Sequence, residues 1–332
     1  MKTAPDFQSL LQAFFTDRLM AQRNASPHTV ASYRDTFRLL LVFAQERLGR
    51  PPSALALDDL DSSFIGDFLD HLENQRKNSA RCRNARLAAI RSFFRYASYR
   101  LPEKSSLIQR VLAMPSKKYE RALVDYLTDK ETAALLDAPD RGTWSGRRDF
   151  ALMLLAVQTG LRVSELCGLR GRDLTFGTGT YVRCVGKGRK ERCTPLTRSA
   201  ALVVSAWVDE QRVLPDDWLF PNRAGKRLST DGVQCILSKH VAVARRTCPS
   251  MEEKRVSPHV LRHTTAMNLL HSGTDIAVIA LWLGHERIET TQIYVTADLA
   301  MKEKILGKTS IPAVKVQRFR PDDTLMAFLK GL

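Results

Sequence analysis

Apolar side chains recur at helical spacing through the first third of the chain. Phe7, Leu10, Leu11, Phe14 and Phe15 fall at intervals that place them on one face of an α-helix. Ser26-Pro27 offers a capping hydroxyl and a proline at the first helical position. The helix it opens runs to about Leu48, where Gly49-Arg50-Pro51-Pro52 stops it. A third helix is predicted from about Ser63 to Gln75 and a fourth from about Ser79 to Tyr99. The fourth has two faces. Leu87, Ile90, Phe93, Phe94 and Ala97 form an apolar stripe, and Arg81, Asn84, Arg91 and Arg95 line the other side.

Pro102, Pro115 and the basic run Ser116-Lys117-Lys118 mark Leu101 to Glu120 as the interdomain linker. A new domain opens at Thr128-x-x-Glu131, a capping box. A buried helix follows over Arg148 to Gln158, Gly160 breaks it, and a short helix covers Val163 to Leu169. The period then changes. Residues 181–185 and Arg192 to Leu196 read as strands joined by the loop Gly186-Lys187-Gly188-Arg189-Lys190-Glu191, hence a hairpin. From Ser199 the chain is helical again, with starts at Ser229 and at Ser257-Pro258. After Ser310 only Leu325, Phe328 and Leu329 form a short amphipathic stretch.

A chain of 332 residues is long enough for about two domains. With 44% hydrophobic and 26% charged residues it is not dominantly disordered. Charge changes the picture more. Lys plus Arg number 51 against 35 Asp plus Glu, a balance of +16 that predicts a polyanionic partner. Between Arg76 and Lys118 stand twelve Lys or Arg and one acid, Glu103. That bias exceeds an ordinary solvated face and points to phosphate or groove contact. A membrane partner is disfavoured, because the apolar runs 150–157 and 276–283 fall well short of the ~18 residues a span needs. The opening MKTAPDFQSLLQ lacks a secretory signal's apolar block, so a soluble cytosolic protein is expected. Cys82, Cys167, Cys184, Cys193, Cys235 and Cys248 form no C-x-x-C pair and are expected to be reduced. Cys184 and Cys193 stand where they would face each other across the hairpin.

Four segments carry candidate chemistry: Thr159-Gly160-Leu161-Arg162-Val163-Ser164-Glu165-Leu166; Gly186-Lys187-Gly188; His259-Val260-Leu261-Arg262-His263; and Leu283-Gly284-His285 with Tyr294 nine residues on. Each alone is weak. A lone helical arginine is usually on the surface, and a Gly-Lys-Gly hairpin is usually a turn. His259 and His263 have the spacing of a zinc pair, but Val260 stands where a metalloprotease needs glutamate, so no metal is expected and His263 reads as structural. The Lys187 loop lacks the form of a nucleotide-binding loop.

In this order the four segments resemble the tyrosine recombinase (phage-integrase-like) family, closest to Xer-type recombinases and transposon-borne integrases. The resemblance implies a mainly α protein. Residues 1–112 would be a helical, SAM-like core-binding domain and 113–122 a linker. Residues 123–309 would be a mostly helical catalytic domain with a small antiparallel sheet, and 310–332 a tail. It makes Arg162 and Arg262 the catalytic arginines, Glu165 the acidic residue, Lys187 the hairpin lysine, His259 and His285 the histidines and Tyr294 the nucleophile. No position departs from the family pattern.

The residue types suit the chemistry. Two guanidiniums can clamp the non-bridging oxygens of a phosphodiester. Tyr294 would attack phosphorus to give a 3′-phosphotyrosyl link, with His259 as proton acceptor and Lys187 as donor to the leaving 5′-oxygen. Arginine neutralisation of the phosphate dispenses with a metal, and the retained ester energy dispenses with ATP, so no cofactor is expected. The implied partner is double-stranded DNA, held between two domains. Strand exchange between two duplexes, each cut twice, implies four protomers, with room for a second recombinase among them. The tail would dock on a neighbouring protomer. Two rivals remain: a type IB topoisomerase, and a DNA-binding accessory protein without turnover.

Overall fold

The computed structural model describes residues 6–119, 124–177, 179–186, 191–285 and 288–297. The chain divides into two compact units, Met1–Arg121 and Ala122–Leu332. Lys187 and the tail from residue 310 lie outside the described residues.

In the first unit, α1 (Phe7–Ala13) is capped by Asp6, which accepts from the Ser9 amide. It runs on as a π-helical stretch, Phe14–Gln22. α2 (Pro27–Leu48) starts at the Ser26 cap with Pro27 in its first turn and ends on Gly49, whose φ of 66° is the left-handed conformation glycine tolerates. α3 (Ser62–Asn74) and α4 (Ala80–Ser98) are capped by Asp61 and Ser79. The predicted stripe of α4 is fully buried, and Phe93 meets Phe7, Phe14 and Phe37 edge-on with centroids 5.3–5.9 Å apart.

The expected linker needs correction over its first half. Residues 105–113 form α5 (Ser105–Ala113), and Leu101, Ile108 and Val111 join the unit's core. Pro102 opens a single 3₁₀ turn there rather than a linker. Past Met114 the chain is tied back to α4, because Asn84 donates to the Lys117 carbonyl (2.8 Å) and accepts from its amide (3.0 Å).

In the second unit, α6 (Asp129–Asp137) starts at the Thr128–Glu131 capping box. α7 (Trp144–Thr159) ends at Gly160, φ 63°. α8 (Val163–Leu166) is one turn, shorter than the sequence predicts. The antiparallel sheet has the order β1 (Leu174–Thr175), β2 (Tyr181–Val185), β3 (Glu191–Pro195). α9 (Arg198–Gln211), α10 (Thr230–Thr247), α11 (Pro258–His271), α12 (Ile276–Leu283) and α13 (Glu289–Ala297) complete it.

The hairpin register sets Cys184 opposite Arg192 and Arg183 opposite Cys193. Facing residues share a face and neighbours alternate, so the buried Cys184 and the exposed Cys193 lie on opposite faces. They do not face each other as the sequence suggested. The main core joins α6–α11 and the sheet, while Met267, Leu270, Ile279, Leu283 and Tyr294 form a smaller cluster among α11, α12 and α13. Among the described residues no helix is long and apolar enough to cross a membrane.

Candidate active site

Backbone turns build the site. Gly160 must end α7 in the left-handed conformation, and its carbonyl accepts from Arg262 Nη1 at 2.6 Å. Arg262, on α11, donates through Nη2 to the carbonyl of Leu283, the last residue of α12, also at 2.6 Å. Two helix C-termini thus fix one buried guanidinium by its two terminal nitrogens.

Arg162 is the N-cap residue of α8. Its amide donates to Glu165 Oε2 (2.8 Å) and its Nη1 to Oε1 (2.9 Å), while Nη2 reaches the Gly284 carbonyl at 3.1 Å. Gly284 caps α12 with φ 65° and turns the chain into His285, whose Nδ1 lies 2.7 Å from Thr291 Oγ1 on α13. The caps that end α7 and α12 therefore bring both arginines and His285 together with Tyr294 of α13, across which the His285 ring stacks at 6.5 Å.

Arg192, which sequence reasoning missed, also enters the site. From β3 it donates to both Glu165 oxygens, Nη2 at 2.7 Å and Nη1 at 3.2 Å. In the sequence it is one basic residue in a short strand, and its partner lies 27 positions away. Only its place beside the Lys187 loop could have drawn attention to it.

Tyr294 is 1% exposed, and its hydroxyl is 3.0 Å from Nδ1 of His263. The structural role expected of His263 is thus a bond to the candidate nucleophile itself. His259, expected as that hydroxyl's acceptor, sits exposed on the first turn of α11 without a hydrogen bond among the described residues. Four residues further along α11, just over one turn, the chain passes behind the Tyr294 ring, and that places His263 there instead.

Burial dominates the electrostatics. It depresses Arg262 to about 10, helped by the neighbouring charge of Arg162. Burial, reinforced by nearby cationic groups, lowers His263 and His285 each to about 4, so both are neutral near pH 7. Burial raises the Tyr294 phenol against the pull of Arg262 and Arg162. Burial alone would raise Glu165, but hydrogen bonds from Arg192 and Arg162 overcome it and keep the carboxylate ionised. Among the described residues no group of three His, Cys, Asp or Glu side chains is placed to hold a metal ion.

In the first unit, Arg81 and Arg95 are exposed on α4. Arg91 is half-buried and lies 3.4 Å from Ser116 Oγ. Asn84 is engaged with the Lys117 backbone, so much of its hydrogen-bonding capacity is already used.

Residues 125–301 match the phage integrase family, and residues 12–100 match the phage integrase N-terminal SAM-like domain. A putative integrase/recombinase, y4rC, of Sinorhizobium fredii (strain NBRC 101917 / NGR234) is 58% identical over 97% of each chain. Two solved structures share the fold at lower identity. One is XerH site-specific recombinase bound to palindromic difH substrate in a post-cleavage complex (TM-score 0.68, 21% identity, 90% of this chain and 84% of that one). The other is a lambda integrase tetramer bound to a Holliday junction (TM-score 0.63, 19% identity, 88% and 78%).

Proposed function

The chain belongs to the phage integrase family, the tyrosine recombinases, and from that premise we propose how its own residues carry out site-specific strand transfer. The observation that carries the proposal is the convergence of Arg162, Arg262, His285 and Tyr294, from separate elements, around the turns at Gly160 and Gly284.

Arg162 and Arg262 bind the non-bridging oxygens of the scissile phosphate, and His285 adds a donor as charge builds in the transition state. The Tyr294 oxygen bonds to phosphorus as the bond to the 5′-oxygen breaks, leaving a 3′-phosphotyrosyl ester. The phenolic proton passes to His259. The leaving oxygen takes its proton from Lys187, assigned from sequence. Reversal by a 5′-hydroxyl rejoins the strand without metal or ATP.

At 1% exposure Tyr294 is withheld from solvent, with its hydroxyl on His263. DNA engagement must turn it toward phosphate and within reach of His259. The substrate is double-stranded DNA, which the charge of +16 and the basic face of α4 favour. Arg81, Arg91 and Arg95 contact phosphate or base edges, and Asn84 chiefly braces the chain at Lys117. Four protomers assemble on two duplexes, with or without a second recombinase. The reaction serves integration or transposition of a mobile element, or dimer resolution. The domain limits 1–112, 113–122 and 123–309, the tail as an intermolecular arm and action in the cytoplasm belong to the same reading.

Tyr294→Phe tests it. The variant is expected to bind duplexes from the DNA flanking its gene as the native chain does and to leave them uncut. Cleavage that persists overturns the nucleophile assignment. Relaxation of sequence-unrelated supercoiled plasmids by the native chain would favour topoisomerase chemistry instead.

A further inference from the structure

We infer that Arg192 is a positioning residue of the strand-transfer reaction: it neutralises Glu165 and so leaves the positive charge of Arg162 uncompensated and aimed at phosphate. The inference rests on the function proposed above.

An ionised carboxylate offers about four acceptor positions. Glu165 fills them with the Arg162 amide, Arg162 Nη1 and the two terminal nitrogens of Arg192. Its side chain is 5% exposed, so water does little to screen it. Two guanidiniums therefore bind one carboxylate, and with Arg262 they make three site arginines that are not equivalent. Arg262 is buried on two carbonyls, and the Arg192 side chain is 11% exposed with both terminal nitrogens on Glu165. Arg162 is the most open, at 29%, and only one of its terminal nitrogens goes to Glu165.

With Arg192 in place, the carboxylate holds Arg162 in orientation while its charge is met from behind. Without Arg192, the buried carboxylate has Arg162 as its chief counter-ion, and a phosphate then meets a pair of little net charge. The fold makes room for Arg192. Its register on β3 turns it to the buried face with Cys184, and a Cβ at Gly284 would stand 2.8 Å from its Nη1. A glycine one residue before His285 lets this side chain lie flat against the turn.

The test measures single-turnover formation of the covalent adduct on nicked duplexes drawn from the DNA flanking the gene. The scissile position carries either the natural phosphate or a methylphosphonate, in which a methyl group replaces one charged oxygen. On phosphate, Arg192→Ala is expected to react about 10- to 100-fold more slowly, the size usual for groups that orient a ligand-binding side chain. Arg192→Lys should fall between it and the native chain. On the methylphosphonate the ground state is neutral and less negative charge builds in the transition state, so both Arg192→Ala and Arg162→Ala should lose clearly less, relative to the native chain, than they do on phosphate. The double variant Arg192→Ala/Glu165→Gln, which removes the charge and its counter-ion together, should react faster on phosphate than Arg192→Ala alone.

Equal loss on both substrates with no recovery in the double variant would make Arg192 a strut between β3 and α8 and overturn the inference. So would an unimpaired Arg192→Ala. If Arg162→Ala gains nothing from the methylphosphonate while the Arg192 variants do, the assignment of Arg162 fails instead. If the native chain forms no adduct on any of these duplexes, both readings fall together.

Discussion

Gly160 links the stability of the second unit to the geometry of its site, and Gly160→Ala should disturb both. The residue has φ 63°, where a side chain costs about 1–2 kcal/mol. An added Cβ would also lie 2.6 Å from Leu283 Cδ2 and 3.2–3.3 Å from Thr265 Cβ and Cγ2, inside a packed cluster. Overpacking of that kind adds ~1–3 kcal/mol. The expected loss is therefore about 2–5 kcal/mol. Gly225→Ala is the matched control. It has φ 70°, and a Cβ added there would meet no heavy atom within 4 Å, so it should lose only the backbone part, about 1–2 kcal/mol. All four tryptophans, Trp144, Trp207, Trp218 and Trp282, lie in the second unit, so urea unfolding followed by their fluorescence reports on that unit. The two midpoints should separate clearly. Gly160→Ala should also cut adduct formation by about 100-fold, because the Gly160 carbonyl and the Leu283 carbonyl are the seats of Arg262. Equal midpoints for the two variants would refute the packing argument, and unimpaired cleavage would refute the coupling to Arg262.

Other expectations follow from the same contacts. Glu131 caps α6, holds Lys254 at 2.6 Å and accepts from Ser250, so Glu131→Ala should cost about 3 kcal/mol in the same urea assay. Asp149 is buried with Arg148 and His240; burial pushes its carboxyl up, but hydrogen bonds from His240 and Arg148 outweigh this and hold it low. Its stabilising contribution should be full above the ordinary carboxylate range and fade as pH falls through the lowered value, and Asp149→Asn should remove that acid limb of the stability profile. His263 and His285 stay neutral down to about 4 while their unfolded forms take protons near 6.5. Stability should therefore fall as pH drops from 6.5 toward 4, and His263→Gln/His285→Gln should flatten that slope in thermal melts.

Local signals in the sequence located most elements because their causes are local. Ser26, Ser79, Thr128, Ser229 and Ser257 each cap the helix that follows, and Gly49 and Gly160 each end one in the left-handed conformation. What the sequence hid depends on distant partners. α5 looks like a linker because Pro102 and its basic neighbours resemble breaks, yet Ile108 and Val111 find an apolar face to bury. β1 is two residues long and exists only through pairing with β2. Arg192 and His263 acquire meaning from Glu165 and Tyr294, which no pattern of spacing connects to them. Arg162, Arg262, His285 and Tyr294 were legible only as an ordered set whose members the helix ends draw together.

The most direct measurement mixes the native chain with nicked duplexes from the DNA flanking its gene, without metal or ATP, and seeks an SDS-resistant protein–DNA adduct. The expected result is an adduct whose linkage maps by peptide mass to Tyr294 and which Tyr294→Phe abolishes. Linkage to another residue, or an adduct that survives that substitution, would contradict it.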